Sequence, residues 1–316
     1  SQIGIFSNTD SDNGETYTYS LVYGAGDTNN SSFRIFKAGS NNILTANNTT
    51  FNYETKDSYS IRVRVTDSDS QTFEKALTIS ISDVNEAPTD IALSSSTIAE
   101  DQPSGTTIGT FDPADVDQDE NGGGTNTDNN TYTYSLVAGD GDTDNGSFAI
   151  NGAGTGIETG IALDFETKSS YSVRVNVNDG ANNFEKAFTI SITDVNDAPT
   201  ALSIGSTTIN ENSAAGSTIG QMSSTDQDTN DQSTFTYTLV AGDGATDNAS
   251  FAVSGRNLVT ADGVALNYET KDTYLVRVRT ADGSGGTFEQ ALTISITDVN
   301  EAPTDLTLSS STIAED

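Results

Sequence analysis

Apolar and polar residues alternate over short stretches of this chain, and the same stretches recur. TYTYSLV from Thr16, YSIRVRVTD from Tyr59 and FEKALTISIS from Phe73 each place apolar residues at every second position, are rich in β-branched and aromatic residues, and are bounded by Gly, Asn and Asp. A period of two puts one apolar face on a pleated strand, and the bounding residues are turn formers. No segment carries a convincing helical period. Several short antiparallel strands per hundred residues predict an all-β chain of Greek-key, immunoglobulin-like β-sandwiches with about seven strands each. The Tyr and Phe residues that recur at matched positions are read as core packing.

The recurrence has a fixed long period, the signature of a repeat architecture. DVNEAPT at Asp83, DVNDAPT at Asp194 and DVNEAPT at Asp298 mark it, with Glu54, Glu166 and Glu269, and give repeats of 103 to 112 residues. Spacings inside the repeat are constant: Tyr17 to Phe33, Tyr132 to Phe148 and Phe235 to Phe251 all span 16 positions. Length differences concentrate in DQDENGGGTNTDNN before Tyr132, which is read as a surface loop. The expected organisation is repeat 1 over 1–86, repeat 2 over 87–197, repeat 3 over 198–302, and the first strand of a following repeat over 303–316. Ile3-Gly4 aligns with Ile108-Gly109, so repeat 1 lacks the segment PTDIALSSSTIAED. Thr304 to Asp316 supplies it at the other end. Either the chain is a window of a continuous multi-repeat protein, or the tail of one copy completes repeat 1 of the next by strand addition.

Charge narrows the function. Forty-six acidic against 13 basic residues give −33, which repels nucleic-acid phosphates and anionic lipid. No apolar run is long enough to cross a bilayer, so no membrane insertion is expected of this segment, and Ser1 onward shows no export signal. The chain has no Cys, His or Trp. It therefore has no disulfide, no histidine general base and no Ser/His/Asp or Cys/His nucleophile, and it is read as a non-enzyme. Acids spread over repeated positions, rather than gathered in one distinctive pocket, weigh against a carboxylate-pair hydrolase.

Those acids sort to the two poles of each repeat. A strand of about eight residues rising about 3.3 Å each separates Glu166 from Asp179 by about 25 Å, so the two cannot share an ion. Glu100, Asp164, Glu166, Asp194, Asn196 and Asp197 gather at the far pole of repeat 2, and Asp226, Asp228 and Asp282 at the near pole of repeat 3. The preceding junction offers Glu54, Asp83, Asn85, Glu86, Asp115, Asp117 and Asp179. Further half-sites are expected at Asp10, Asp12 and Asp67, and at Glu211, Glu269, Asp298, Asn300 and Glu301. Crowded carboxylates repel unless a hard cation neutralises them, and an all-oxygen inventory suits Ca2+ better than Mg2+.

This combination resembles the cadherin family: a Glu in the first strand (Glu100, Glu211, Glu315), an Asp-x-Asp loop (Asp10 and Asp12, Asp115 and Asp117, Asp226 and Asp228), an LDRE-like site and a DxNDN-like linker. The wording LVAGDGDTDNGSF, FETKSSYSVRV and DVNDAPT is most similar to the cadherin-like repeats of giant bacterial surface adhesins. The resemblance implies three calcium ions per junction and a secreted or cell-surface setting. It also implies a calcium-rigidified extender of a long surface or fibre protein, with a polysaccharide-binding module or a filament assembled head to tail from copies of the chain as alternatives. The chain departs from the family in two places. The LDRE-like Asp survives only as Asp164, with Asn52 and Asn267 in the other repeats, and the linker's second Asn is Ala87, Ala198 or Ala302. The family's strand-swapping Trp is absent. GDGDTDNGS around Asp140 is read as a turn rather than an EF-hand, since its Gly falls one position late and the closing Glu is Asn151. Sequons at Asn29, Asn48, Asn145 and Asn248 are expected by chance in so Asn-, Ser- and Thr-rich a chain. Tyr23 and Phe36 have no aromatic counterparts in the other repeats, and they carry the polysaccharide alternative.

Overall fold

The computed structural model describes residues 2–11, 14–38, 41–117, 131–228 and 234–315. The Gly/Asn-rich segment before Tyr132, read as a surface loop, lies almost wholly outside them, as does Asp12. The chain folds as two compact units. One comprises Ser1–Thr97, Pro103–Ile161 and Tyr171–Ile190, and the other Ile98–Gln102, Ala162–Ser170 and Ser191–Asp316.

Repeat 1 contributes β1 (Gln2–Ile5), β2 (Thr18–Leu21), β3 (Phe33–Ala38), β4 (Asn41–Ala46), β5 (Ser58–Thr66) and β6 (Thr72–Ser80). They form two three-stranded sheets, β1-β4-β3 and β2-β5-β6. Phe33, Leu44, Ile61 and Val63 are buried between the sheets, with Phe6, Tyr19, Phe51 and Tyr59 packed against them. The alternation read in YSIRVRVTD thus places Ile61 and Val63 inward.

Repeat 2 contributes β7 (Asp90–Leu93), β8 (Thr97–Ala99), β9 (Thr107–Ala114), β10 (Thr133–Leu136), β11 (Phe148–Ile150), β12 (Gly156–Thr159), β13 (Ser170–Asn178) and β14 (Asn183–Thr193). Its sheets are β11-β12-β9-β7 and β10-β13-β14-β8. Along β13, Val173, Val175 and Val177 are fully buried while their neighbours face outward. Each such side chain contributes about 1.5–3 kcal/mol.

Repeat 3 follows the same plan in β15 (Ala201–Ile204), β16 (Thr208–Asn210), β17 (Thr218–Thr225), β18 (Thr236–Leu239), β19 (Phe251–Ser254), β20 (Asn257–Thr260), β21 (Thr273–Ala281) and β22 (Thr287–Thr297). Its sheets are β15-β17-β20-β19 and β16-β22-β21-β18, and Met222, Leu258, Leu266, Val276, Val278 and Ile294 fill its core.

The sequence led to one first strand per sandwich, but the structure has two. β15 pairs antiparallel with β17 in one sheet, and β16 then crosses to pair parallel with β22 in the other. Among the described residues repeats 2 and 3 therefore have eight strands each, the first of the expected seven or so being split in two. The crossing kink needs room. A Cβ on Gly109 would come within 2.5 Å of the Ser95 carbonyl oxygen, and a Cβ on Gly220 within 2.5 Å of that of Ser206, so glycine lets the kinked backbone lie directly on the strand beneath. Repeat 1 has no counterpart of either half-strand among its described residues. At the other end 304–315 form no strand, and Leu306, Leu308 and Ile313 stand exposed.

Candidate metal centres at the repeat poles

The linker after β6 brings Asp83, Asn85 and Glu86 against two loops of repeat 2. Glu54, Asp83, Glu86 and Asp117 each offer one carboxylate oxygen, and the four lie within 4.8 Å of one another. Asp117 is 6% exposed. It accepts the Glu86 N–H at 2.8 Å, while its own N–H reaches Asp115 at 3.2 Å. Tyr132 Oη steadies Asp115 at 3.0 Å. Burial, and then the charges of Asp115, Glu86 and Asp83, push the Asp117 carboxyl up to about 6. The Asp83 Oδ1 atom is buried with no hydrogen-bond partner. Asp179, at the end of β13, holds the same linker: its Oδ2 accepts the Asn85 amide at 3.0 Å, and its Oδ1 accepts the Ala181 and Asn182 N–H groups. Burial draws the Asp179 carboxyl upward, but these hydrogen bonds outweigh it and leave it below the ordinary value.

In the other unit Glu166 is shared by two clusters, Glu100–Asp164–Glu166 and Glu166–Asp194–Asp228, each within 4.8 Å. Glu100, 1% exposed at the end of β8, accepts the Phe165 N–H at 2.6 Å and the Val195 N–H at 2.7 Å. Asp228 accepts the Asp197 N–H at 2.7 Å and donates its own to Asp226 at 3.3 Å. Asp282 repeats the part of Asp179. Its Oδ2 accepts the Asn196 amide at 3.2 Å, and its Oδ1 takes four successive N–H groups, Gly283 to Gly286, at 2.7 to 3.0 Å. A Cβ on Gly286 would run into the Asp282 carboxylate and come within 2.7 Å of the Ala198 Cα, so the linker lies directly on this loop. Burial first, then neighbouring acids, raise Glu166, Asp197 and Asp226. Glu166 Oε2, Asp226 Oδ2 and Asp228 Oδ1 are buried without a hydrogen-bond partner. Buried anionic oxygens without donors are costly, and the inward-facing oxygens match what a hard cation takes.

The outer poles are smaller. Glu211, Glu269 and Asp298 cluster, and Glu211 takes the Tyr268 and Val299 N–H groups at 2.9 and 2.8 Å, which hold its carboxyl low. Glu301 accepts the Asn212 amide at 2.8 Å, and the Asn300 amide donates to the Glu301 carbonyl at 3.5 Å. Asp10 and Asp67 meet at the near pole of repeat 1, joined by Glu15, which the sequence reading missed because repeats 2 and 3 have no acid there. Glu315 is exposed and joins no cluster among the described residues. The reading also missed Asp101, whose charge helps raise Asp197, the linker-holding Asn182, and Gln227, whose amide donates to Asp164 at 2.9 Å. Asp164, Asn52 and Asn267 all cap the same turn, accepting N–H groups three residues on at 2.7 to 2.8 Å, so the two Asn residues keep the turn and drop the charge. The segment around Asp140 forms a turn and a short 3-10 helix, in keeping with the reading against an EF-hand.

An all-β chain of kinked-strand sandwiches with acids at each pole defines a class, and comparison with known proteins gives it a name. The family model described as "Cadherin domain" matches residues 94–193 and 206–297, and the chain belongs to that family. Among curated relatives, mouse Protocadherin Fat 4 is 34% identical over 155 residues, 47% of this chain and 3% of that protein. Human Protocadherin Fat 1 is 25% identical over 258 residues, 79% of this chain and 5% of that one. The chain thus spans a small fraction of these relatives. Among solved structures, mouse Cadherin-23 EC22-24 matches with a TM-score of 0.57 at 25% identity, covering 92% of this chain and 89% of that one. Protocadherin Gamma B2 extracellular cadherin domains 1-5 match at 0.59 and 19%, covering 90% and 53%, a likeness of fold alone.

Proposed function

We propose that this chain is a calcium-rigidified extracellular extender of a long surface or fibre protein of the bacterial adhesin kind, with repeats over 1–86, 87–197 and 198–302. Successive repeats act as spacers, and Ca2+ at each junction fixes the angle between neighbours. The observation that carries the reading is the set of buried carboxylate oxygens without hydrogen-bond partners, Glu166 Oε2, Asp226 Oδ2 and Asp228 Oδ1, at the junction after repeat 2. Glu166 would bridge two ions there, with Glu100 and Asp164 on one side and Asp194 and Asp228 on the other. Affinities of the extracellular type, on the order of 0.1–1 mM, would leave the sites empty in the cytosol and filled after export.

Calorimetric titration tests this. Calcium binding should saturate near millimolar concentration with magnesium far weaker, Glu166→Ala should remove more than one ion, and the junction with Glu100 and Asp164 should fill before the one with Asn52. Equal magnesium binding, or greater occupancy at the first junction, would contradict it. The polysaccharide alternative gains no support: Tyr23 and Phe36 are exposed, but neither lines the groove on repeat 1.

A further inference from the structure

At the near poles of repeats 2 and 3 the same pair of acids meets a different aromatic residue. Tyr132 leads into β10 and Phe235 into β18 at the same position, 16 residues before Phe148 and Phe251. Thr133 pairs with Asn178 and Thr236 with Ala281, so each ring starts its strand beside the acid that follows the partner strand, Asp179 or Asp282.

The two rings leave the neighbouring carboxylate in different states. Asp115 is satisfied on both oxygens: Oδ1 accepts the Asp117 N–H at 3.2 Å, and Oδ2 accepts the Tyr132 hydroxyl at 3.0 Å. Asp226 keeps the first of these bonds, its Oδ1 accepting the Asp228 N–H at 3.3 Å, but Phe235 has no hydroxyl to give. Asp226 Oδ2 is left buried without a hydrogen-bond partner, in a residue only 6% exposed, and the charges of Asp228 and Asp282 bear on it. The rest of the two loops is alike. Asp117 and Asp228 accept the linker N–H groups of Glu86 and Asp197 at 2.8 and 2.7 Å, and Asp179 and Asp282 accept the amides of Asn85 and Asn196 at 3.0 and 3.2 Å. In repeat 1 Tyr17 is hydrogen-bonded to Asp10, so Phe235 is the exception among the three copies.

A buried carboxylate oxygen without a donor costs free energy, and either a hydroxyl or a cation relieves it. Affinity is the difference between the filled and the empty site, so a site already relieved by a hydroxyl gains less when it fills.

We propose that Tyr132 and Phe235 grade the calcium affinity of the two junctions: the Tyr132 hydroxyl stabilises the empty junction after repeat 1 and weakens its calcium binding, whereas Phe235 leaves the Asp226 oxygen to the ion alone. This rests on the calcium reading above and adds to it a residue outside the carboxylate set. The junction after repeat 2 would then stiffen at lower calcium than the one before it.

Tyr132→Phe in the 316-residue chain is the deciding variant, since it deletes one hydroxyl, whereas Phe235 belongs to the core of repeat 3. In chelator it should lower the melting temperature, because Asp115 loses its donor. Calcium titration is best read in the Glu166→Ala background, which spares the junction after repeat 1. There Tyr132→Phe should tighten binding about tenfold, the worth of one hydrogen bond to a carboxylate. Phe235→Tyr in the parent chain should act in reverse, raising the melting temperature in chelator and weakening calcium binding. Calcium binding that Tyr132→Phe leaves unchanged or weakens would overturn the inference and leave the calcium reading standing. A parent chain that binds no calcium would overturn both.

Discussion

Glu100 and Glu211 show what one carboxylate does at a repeat pole. Each accepts two backbone N–H groups from separate loops and still faces a cluster of acids. Glu100→Gln keeps the shape but sets an amide NH2 against one of those donors, so it should cost about 1–3 kcal/mol in chelator and weaken calcium binding, as read by thermal melts and titration. The raised carboxyls give a second expectation. Asp117 binds its proton more tightly folded, at about 6, than unfolded, so its stabilisation of the metal-free chain is full below about 4 and lost as pH rises through 6. Glu166, Asp197 and Asp226 act in the same sense. The lowered groups, Asp164, Asp179, Asp282 and Glu211, lose their contribution only below the ordinary carboxylate range. In chelator the melting temperature should therefore rise from pH 7 to pH 5. In calcium it should fall, because protons then displace the ion. Recurrence made the acids legible in the sequence, since six of the candidate positions are acidic in all three copies. Glu15 and Asn182 return in no other repeat, so no spacing could have found them, and Asp101 returns only as Asp316.

At the scale of elements, the alternation of TYTYSLV, YSIRVRVTD and FEKALTISIS marked the strands of one sheet, because period-two burial leaves a direct trace in sequence. The crossing of the first strand was not legible. PTDIALSSSTIAED reads as one extended run, and only the contact of Ser95 with Gly109 reveals the switch of sheets. Gly109→Val tests the role of this glycine. It should destabilise repeat 2 by about 1–3 kcal/mol or more through backbone overpacking. Gly286→Ala should likewise push the Asp197–Ala198 linker off the Asp282 loop and lower calcium affinity in that unit without unfolding it.

Over the whole molecule, the chain carries a charge of −33 with acids gathered at the repeat poles, and on the proposed function this would couple junction geometry to divalent cation. Monovalent salt should replace calcium poorly, because it screens exposed charges more than partly buried ones. Small-angle scattering of the 316-residue chain, in millimolar calcium and then in chelator, tests the central claim most directly. Calcium-bridged junctions predict a longer maximum dimension and larger radius of gyration in calcium, with a shorter, broader distribution in chelator and no change of mass. Superimposable curves under the two conditions would contradict calcium-dependent stiffening of the junctions.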